Sequence, residues 1–386
     1  MRTAKTIPYG RQSVDDDDVE AVVAALRGEY LTTGPSVERF EKGLATVTGA
    51  KHVSVLNSGT AALHAAYFAA GLGPGKKLIT SPLTFAATAN AALYLGAEVV
   101  FADIDPATGC LDPKSVAALL DERVRVVTAV DYAGHPCDYA ALRVLQSRFD
   151  FTLIADACHS LGATQAGRPV GTLADASCFS FHPVKPITTG EGGAVATDDG
   201  DFAARVARFR THGIERNPVE QAERGGWFYA MRDLGFNYRL CDLQCALGAS
   251  QLRKLSRFTS RRREIADAYH AGLTGLGLTL PSVRPGAESA WHLYVVRVAE
   301  AALRRVFYEQ LHAAGLGVQV HYIPVYWHPY YEQLGYRRGL CPEAEEFYGR
   351  AVSLPIFPEM GDADVANVIE RVRRVRIGQQ PTRSAA

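Results

Sequence analysis

Lys185 is the residue whose surroundings most favour chemistry. It follows the apolar run CFSF and precedes a glycine-rich stretch, TTGEGG. Neighbouring proline, phenylalanine and glycine residues would exclude water from the amine, and a desolvated amine has a lowered pKa and becomes a nucleophile. Most lysines are solvated surface charges, which is the alternative for this one. We predict a reactive amine on a loop that follows a buried strand.

Asp156 ends the apolar run FTLIAD and is followed by Ala157, Cys158 and His159. A carboxylate at the end of a strand can keep the ring nitrogen of a pyridine cofactor protonated, which makes the ring an electron sink. Taken without its context, this residue is better interpreted as a turn or helix-cap aspartate. The functional interpretation therefore depends on the residues that accompany it.

Two further strand ends suit a planar cofactor with a phosphate. Ser58, Gly59 and Thr60 follow the run HVSVL and open a helix, where backbone amides and hydroxyls bind phosphate. Thr84 and Phe85 follow KLITS, and an aromatic ring there could stack on a planar group. The alternatives are a plain helix cap and an ordinary core phenylalanine. Phosphate loop, stacking ring, acid and lysine thus occur in one order along the chain.

These residues need elements that bring strand ends together. Between residues 51 and 156 short β-rich runs alternate with helical stretches, and the runs CFSF and GAVAT follow. Such alternation predicts a mostly parallel sheet covered by helices. Ligands bind beyond the carboxyl ends of parallel strands, which is where the four signals lie.

The length of 386 residues favours two domains of unequal size. A helix is predicted to begin at the acidic cluster 15–18, and residues 243–272 keep helical spacing without proline, which predicts one long connecting helix. Beyond Pro281, the segments WHLYVVRV, LRRVFYEQLHAAG and VQVHYI predict a strand, a helix and a strand. We expect a large α/β domain over 14–250 and a small α+β domain over 251–386, with residues 1–13 packing on the small one.

Composition excludes several classes of protein. The 41 basic and 41 acidic residues balance, so neither nucleic acid nor an anionic membrane is expected as a partner. No apolar leader or membrane-length segment is found, and a cytoplasmic location is expected. The seven cysteines contain no C-x-x-C pair and indicate reduced thiols. Cys241 and Cys245 could share a helix face as metal ligands, but no second pair accompanies them, and no metal site is expected.

Two nucleotide-binding motifs fail. The pattern G-x-G-x-x-G would begin at Gly71 or Gly190, but it ends at Lys76 and at Val195. A phosphate-binding P-loop ending in Gly75-Lys76 would need glycine at position 70 and serine or threonine at 77, where the chain has alanine and lysine. A dinucleotide-dependent oxidoreductase and a P-loop enzyme are therefore disfavoured.

The segments NSGTAALHAA, SPLTFAATAN, VDYAGHPCD, DACHSLGA, FSFHPVKPITTGEGGAV, LGFNYRLCDLQCALG and WHLYVVRV occur in the order typical of one family. They resemble the DegT/DnrJ/EryC1/StrS family of sugar aminotransferases over nearly the whole chain. The resemblance implies the fold type I of transferases that use pyridoxal 5'-phosphate (PLP), with a mostly parallel seven-stranded sheet. It also implies an obligatory homodimer with shared active sites.

The resemblance assigns roles to numbered residues. Lys185 would carry PLP as a Schiff base, Asp156 would pair with the pyridine nitrogen, and His159 would lie near the ring hydroxyl. The other implied cofactor contacts are Phe85 or Thr84 against the ring, and Ser58, Gly59, Thr60, Ser180 and Asn237 of a second subunit at the phosphate. Arg239, His321 and Tyr322 would contact the substrate. The alternative for Arg239 is a salt bridge at a helix cap, and the alternative for His321 and Tyr322 is a buried structural role.

The implied reaction is a ping-pong transfer of an amino group from L-glutamate to a nucleotide-linked keto-sugar. The segments IPYGRQSVDDDDVEAV, LTTGPSVERFE and GVQVHYIPVY resemble the members that aminate C4 of a UDP-linked 4-keto-6-deoxy-N-acetylhexosamine in pseudaminic acid biosynthesis. Another nucleotide-linked 3- or 4-keto-hexose stays open, as does a non-catalytic PLP-binding regulator, although Lys185, Asp156 and Ser180 together argue against the latter. Three departures from the family pattern bear on this: Ala155 where glutamate is common, Pro186 after the lysine, and the bulky Trp327.

Overall fold

The computed structural model describes residues 6–375. The α-helices of this part of the chain are α1 (Asp16–Leu26), α2 (Pro35–Thr48), α3 (Gly59–Ala69), α4 (Ala87–Leu93), α5 (Pro113–Leu119), α6 (Tyr139–Gln146), α7 (Gly200–Phe209), α8 (Pro218–Arg224), α9 (Asp242–Leu252), α10 (Leu255–Leu273), α11 (Ala301–Ala313), α12 (Pro329–Gln333), α13 (Pro342–Arg350) and α14 (Asp362–Arg374). Single 3₁₀ turns lie at Tyr132–Gly134, Val170–Thr172 and Val325–Trp327.

The strands are short. They are β1 (His52–Leu56), β2 (Lys77–Thr80), β3 (Glu98–Phe101), β4 (Val124–Val130), β5 (Thr152–Asp156), β6 (Thr164–Gln165), β7 (Arg168–Pro169), β8 (Ala176–Ser180), β9 (Gly193–Thr197), β10 (Ile214–Glu215), β11 (Ala230–Met231), β12 (Ala287–Glu288), β13 (Tyr294–Arg297) and β14 (Ala351–Leu354).

The central sheet has seven strands in the order β1-β9-β8-β5-β4-β2-β3. Neighbours from β3 to β8 pair in parallel, whereas β9 runs antiparallel to both β8 and β1. Its strands are almost continuously apolar because helices cover both faces and leave no solvent side. The predicted fold, a mostly parallel seven-stranded α/β sheet of fold type I, is confirmed.

A second, smaller layer follows the sheet in the chain. The antiparallel pair β13–β14 packs with α10, α11 and α14 around a separate apolar cluster that includes Tyr269, Val296, Leu311 and Val368. Ile7 belongs to the same cluster, and residues 1–5 of the N-terminal segment lie outside the described residues. Side chains from residues 290–351 also join the core of the large sheet. This part of the chain thus contributes to both cores, and the boundary near residue 250 stays a prediction.

Two local predictions need correction. The helix predicted over 243–272 is two helices, α9 and α10, separated at Arg253 and Lys254. No glycine or proline marks this break, but the Lys254 amine lies 2.9 Å from the Asp18 carboxylate of α1, so a tertiary contact accompanies it. The segment VQVHYI forms a single bridge, from Gln319 to Ser353 of β14, instead of a strand.

Among residues 6–375, we find no helix with the length and apolar character needed to cross a membrane.

Candidate active site

A cavity of about 550 Å³ lies at the carboxyl ends of the parallel strands, between the sheet and the segment that contains His321. It brings together most of the residues singled out by sequence. Its walls include Ser58, Gly59, Thr60, Thr84, Phe85, Asp156, His159, Ser180, Lys185, His321 and Tyr322. Six strands ending in the same direction explain this convergence, because their following loops meet at one edge.

Lys185 lies in a tight turn after β8, where its backbone N–H donates to the His182 carbonyl at 2.9 Å. The buried Pro186 follows this turn, and the side chain of the next residue, Ile187, is buried in the core. Burial lowers the pKa of the Lys185 amine, and the nearby Cys158 thiol and Asp156 carboxylate act in the opposite direction. The amine is therefore more often neutral than that of a surface lysine, as a nucleophile or a base requires.

Asp156 ends β5 and is buried between Val130 of β4 and Cys178 of β8. Its Oδ2 accepts a hydrogen bond from the Thr88 hydroxyl at 2.6 Å, and its Oδ1 accepts one from the Cys158 N–H at 3.2 Å. These bonds fix the direction of the carboxylate and leave further lone pairs for a ligand.

The loop from Ser58 to Thr60 caps α3. The Ser58 hydroxyl accepts a hydrogen bond from the Ala61 N–H at 3.0 Å, so this side chain is the helix cap that the sequence left open as an alternative. A Cβ on Gly59 would lie 2.9 Å from Ser180 Cβ and 3.3 Å from Cys158 Sγ. Only glycine lets the start of α3 approach β8 this closely. The first amides of α3 have no partner within the helix and suit a phosphate.

Aromatic side chains form the side of the cavity opposite the sheet. The Phe85 ring is 64% exposed and lies edge-on to Tyr322, with 6.3 Å between ring centroids. The Thr84 hydroxyl lies 2.7 Å from that of Thr88, so it supports the residue that holds Asp156. His321 pairs through Nδ1 with the Ser353 hydroxyl at 2.8 Å, and burial lowers the pKa of His321 to about 4.

Asn237 and Arg239 are not brought into the cavity of their own chain. Their segment runs beside the end of β1, where the Asn57 N–H donates to the Tyr238 carbonyl at 2.8 Å. The backbone of Arg239 forms an isolated antiparallel β-bridge with that of Leu56. Asn237 is exposed there. Trp327 also lies outside the cavity wall, with its ring edge-on to Tyr348.

Several residues that line this cavity were not predicted from the sequence, among them Tyr9, Thr88, Cys158 and His292. Thr88 lies in the first turn of α4, whereas Thr84 precedes that helix, so helical spacing gave no signal for Thr88. His292 lies in the segment WHLYVVRV and packs on His159 with 4.3 Å between ring centroids. Tyr9 and His292 come from distant parts of the chain, and only the fold reveals them.

The residues fit PLP. One enclosed space contains three suitable groups. They are the Lys185 amine with its lowered pKa, the buried Asp156 carboxylate with free lone pairs, and the start of α3, which approaches β8 because residue 59 is glycine. They match respectively an aldehyde, a pyridine nitrogen and a phosphate.

Known proteins resemble this chain along almost its whole length. The profile of the DegT/DnrJ/EryC1/StrS aminotransferase family matches residues 12–373. The chain is 38% identical over 376 residues to the spore coat polysaccharide biosynthesis protein SpsC of Bacillus subtilis, covering 96% of this chain and 97% of that protein. It is also 38% identical over 382 residues to the UDP-4-amino-4,6-dideoxy-N-acetyl-beta-L-altrosamine transaminase of Campylobacter jejuni, covering 95% and 99%. The PLP form of Spr1654 from Streptococcus pneumoniae superimposes with a TM-score of 0.90 at 28% identity, covering 96% and 98%.

Proposed function

Because the chain belongs to the DegT/DnrJ/EryC1/StrS aminotransferase family, we propose that it transfers the amino group of L-glutamate to C4 of UDP-2-acetamido-2,6-dideoxy-β-L-arabino-hexos-4-ulose. The protein is a PLP-dependent sugar aminotransferase. The observation that carries the proposal is the convergence of Lys185, Asp156 and the start of α3 on one cavity. The choice of sugar is supported by the identity with the Campylobacter jejuni transaminase.

We assign the cofactor contacts as follows. Lys185 binds the aldehyde carbon, Asp156 pairs with the pyridine nitrogen, and Phe85 lies against the ring. The amides of Gly59 and Thr60, with the hydroxyls of Ser58, Thr60 and Ser180, hold the phosphate. When bound, PLP supplies an aldehyde that accepts amines and a protonated ring that takes up electron density from the bond being broken. The Thr88 hydroxyl and the Cys158 N–H hold the Asp156 carboxylate in the direction of its partner.

Lys185 also moves the proton that the reaction requires. Once glutamate had displaced its amine, the neutral Nζ would accept the proton from the α-carbon of the donor and pass it to the former aldehyde carbon of the cofactor, and water would then release 2-oxoglutarate. In the second half, the sugar ketone would lose its oxygen as water on joining the cofactor's amine, and Nζ would move the proton from the cofactor carbon back to C4 of the sugar, which gains the amine and a hydrogen. The lowered pKa of Lys185 supports both roles, because a protonated amine could not begin either half.

A homodimer with shared active sites is part of the proposal. The segment 219–236 exposes large apolar side chains, with Val219 66%, Trp227 79%, Met231 66% and Leu234 79% accessible. Several large apolar side chains exposed on one short segment are typical of a protein interface. Asn237 follows the segment directly and has no access to its own cavity, so a second copy would bring it to the phosphate of its partner. Light scattering should give twice the 41.8 kDa of the chain.

We further propose a cytoplasmic location. All seven cysteines are free thiols in the structure, and five are buried. Free buried thiols are typical of a reducing compartment, where glutamate and nucleotide-linked sugars are supplied.

The first test follows the visible absorption of the PLP-loaded protein. L-Glutamate should bleach the band with release of one equivalent of 2-oxoglutarate, and the keto-sugar should restore it, as ping-pong kinetics require. Lys185→Ala should lower turnover by at least about 10³-fold with an unchanged fold. Lys114→Ala, at an exposed lysine, is the control and should behave as wild type. A coloured protein that glutamate does not bleach would be a PLP-binding regulator.

The second test identifies the sugar. UDP-linked and dTDP-linked 3-keto and 4-keto sugars are each offered with glutamate, and the products are assigned by mass and NMR. Amination of the UDP-linked 4-keto-6-deoxy-N-acetylhexosamine at C4 is expected. Reaction with a dTDP sugar alone would show that the sugar assignment is wrong, while the aminotransferase assignment would stand.

A further inference from the structure

Tyr322 and His159 form a pair in the wall of the cavity. Tyr322 Oη lies 3.1 Å from His159 Nε2, and both residues line the cavity. His292 packs on the His159 ring with 4.3 Å between ring centroids, and the Tyr322 ring centroid lies 6.0 Å away, with its hydroxyl at the Nε2 edge. Because one neighbour packs on the ring and the other contacts its edge, the imidazole cannot turn without disturbing them. The direction of its two nitrogens is therefore set by the fold.

The position of the ring proton follows from burial. His159 Nδ1 is buried and has no hydrogen-bond partner within residues 6–375. In proteins a buried N–H without an acceptor is rarer than a buried acceptor without a donor. The unpaired Nδ1 is therefore favoured as the unprotonated nitrogen of the ring. Burial also lowers the pKa of His159 well below its ordinary value, so the ring is neutral and carries one proton. That proton lies on Nε2, which donates to Tyr322.

The hydroxyl of Tyr322 then has a hydrogen to spare. Its oxygen accepts from His159, and among the described residues no acceptor for the phenolic hydrogen is found. Burial raises the pKa of Tyr322 well above its ordinary value, so the hydroxyl keeps its proton. Tyr322 is thus a donor on the cavity wall, and none of the described residues places an acceptor within hydrogen-bond distance of its hydroxyl hydrogen.

We propose that Tyr322 donates a hydrogen bond to an oxygen of the molecule bound in the cavity, and that His159 is a positioning residue that directs this hydroxyl. Two oxygens share the required chemistry, the ring oxygen of PLP and the ketone oxygen of the sugar. The identity of the ligand rests on the proposed function, whereas the His159–Tyr322 pair does not. In this assignment Tyr322 contacts the bound molecule, and His159 acts only through its hydrogen bond to Tyr322.

The pair is tested first without cofactor, by NMR of protein labelled with ¹⁵N at histidine. We expect His159 to be neutral down to pH 5 and protonated at Nε2, with the Nε2 resonance displaced in Tyr322→Phe. Tyr336→Phe is the matched control, because that hydroxyl donates to the Val99 carbonyl away from the cavity, and it should leave the resonance in place. A proton on Nδ1 of His159 would overturn the proposal, whatever the enzyme's substrate.

The second measurement follows the two half-reactions of Tyr322→Phe separately in single turnovers. If the acceptor is the PLP ring oxygen, the pH titration of the visible band shifts and both half-reactions slow by at least about 10-fold. If it is the ketone oxygen, only the half-reaction with the sugar slows by that factor. Wild-type rates and an unshifted titration would overturn the proposal.

His159 is tested by two substitutions. His159→Gln keeps a side-chain N–H near the position of Nε2, whereas His159→Leu removes every donor. We expect Leu to reproduce the defect of Tyr322→Phe and Gln to restore much of the lost rate. Equal loss in both variants would overturn the positioning role. Failure of the proposed function is recognised separately, as turnover that survives Lys185→Ala.

Discussion

Thr88 donates the shorter of the two hydrogen bonds to Asp156, 2.6 Å against 3.2 Å from the Cys158 N–H. Thr88→Val keeps the shape of the side chain but removes this donor, and a hydrogen bond to a charged group contributes about 1.5–3 kcal/mol. We expect the dissociation constant of PLP to rise about 10-fold or more and kcat to fall by a similar factor. Equilibrium dialysis and steady-state rates measure both quantities.

Thr48→Val is the matched control for this prediction. Thr48 is also buried in a helix, and its hydroxyl donates to the Leu44 carbonyl far from the cavity. It should change neither PLP affinity nor kcat. Unchanged PLP affinity in Thr88→Val would show that the pairing of Asp156 with the pyridine nitrogen does not depend on the Thr88 hydroxyl.

The sequence was enough to predict that residues at strand ends would come together, while their roles stay predictions. Asp156, Lys185 and Gly59 each lie at or just after the end of a strand, and parallel strands place such residues at one edge without further information. Thr88 and His292 could not be found this way. Their contribution depends on which face of a helix meets Asp156, and on how the small layer packs against the large sheet.

At the scale of elements, α3 and β8 approach each other only because residue 59 is glycine. In Gly59→Ala the new Cβ would lie 2.9 Å from Ser180 Cβ, which forces the helix start away from the strand. Such overpacking costs about 1–3 kcal/mol. We expect a lower free energy of unfolding and a PLP affinity reduced by at least about 10-fold, since the amides that face the phosphate move with the helix start. Chemical unfolding and PLP titration test this.

Gly200→Ala is the control for this element. Gly200 is likewise the first residue of a helix, α7, behind the capping residue Asp199. A Cβ there would meet only His52 Nε2, at 3.7 Å. Because alanine is the better helix former, stability should be unchanged or slightly higher and PLP binding unaffected. If stability and PLP affinity fell equally in both variants, a Cβ at any helix start would be harmful. The prediction that the close approach of α3 to β8 requires glycine at position 59 would then be wrong.

The elements themselves were predictable where local pattern decides them. Seven short apolar runs bounded by turns became the seven strands of the sheet. The break between α9 and α10 carries no local signal, since Lys254 is an ordinary helix residue that pairs with Asp18 only in the folded chain. VQVHYI has an apolar alternation typical of a strand, but after Gln319 the chain turns so that His321 and Tyr322 can line the cavity.

At the scale of the whole molecule, burial of neutral histidines makes stability depend on pH. Burial lowers the pKa of His64, His135 and His321 to about 4, and lowers the pKa of His159 and His292 well below the ordinary value for histidine. The unfolded chain binds these protons near pH 6.5, whereas the native protein does not bind them until pH 4. The unfolded state therefore holds more protons in this window, and stability falls as the pH drops through it.

One group opposes this trend. Burial raises the pKa of Asp131 to about 7, so the native protein holds a proton there that the unfolded chain releases near pH 4. Five histidines outweigh this single carboxyl. Since each unmatched proton changes stability by about 1.4 kcal/mol per pH unit, we expect a loss of at least about 2 kcal/mol between pH 7 and pH 5. Urea unfolding of the cofactor-free protein at the two pH values measures it.

A pair of variants locates the source of the effect. His64 is buried beside Tyr238, with Nδ1 3.1 Å from the hydroxyl, whereas His52 is exposed. His64→Gln replaces a titrating ring by a neutral amide, so its stability should fall less between pH 7 and pH 5 than that of the wild type, by about 1–2 kcal/mol. His52→Gln should keep the wild-type dependence. Equal stability of the wild type at both pH values, or a stability that rises on acidification, would show that the buried histidines do not govern the balance of protons between the native and unfolded states.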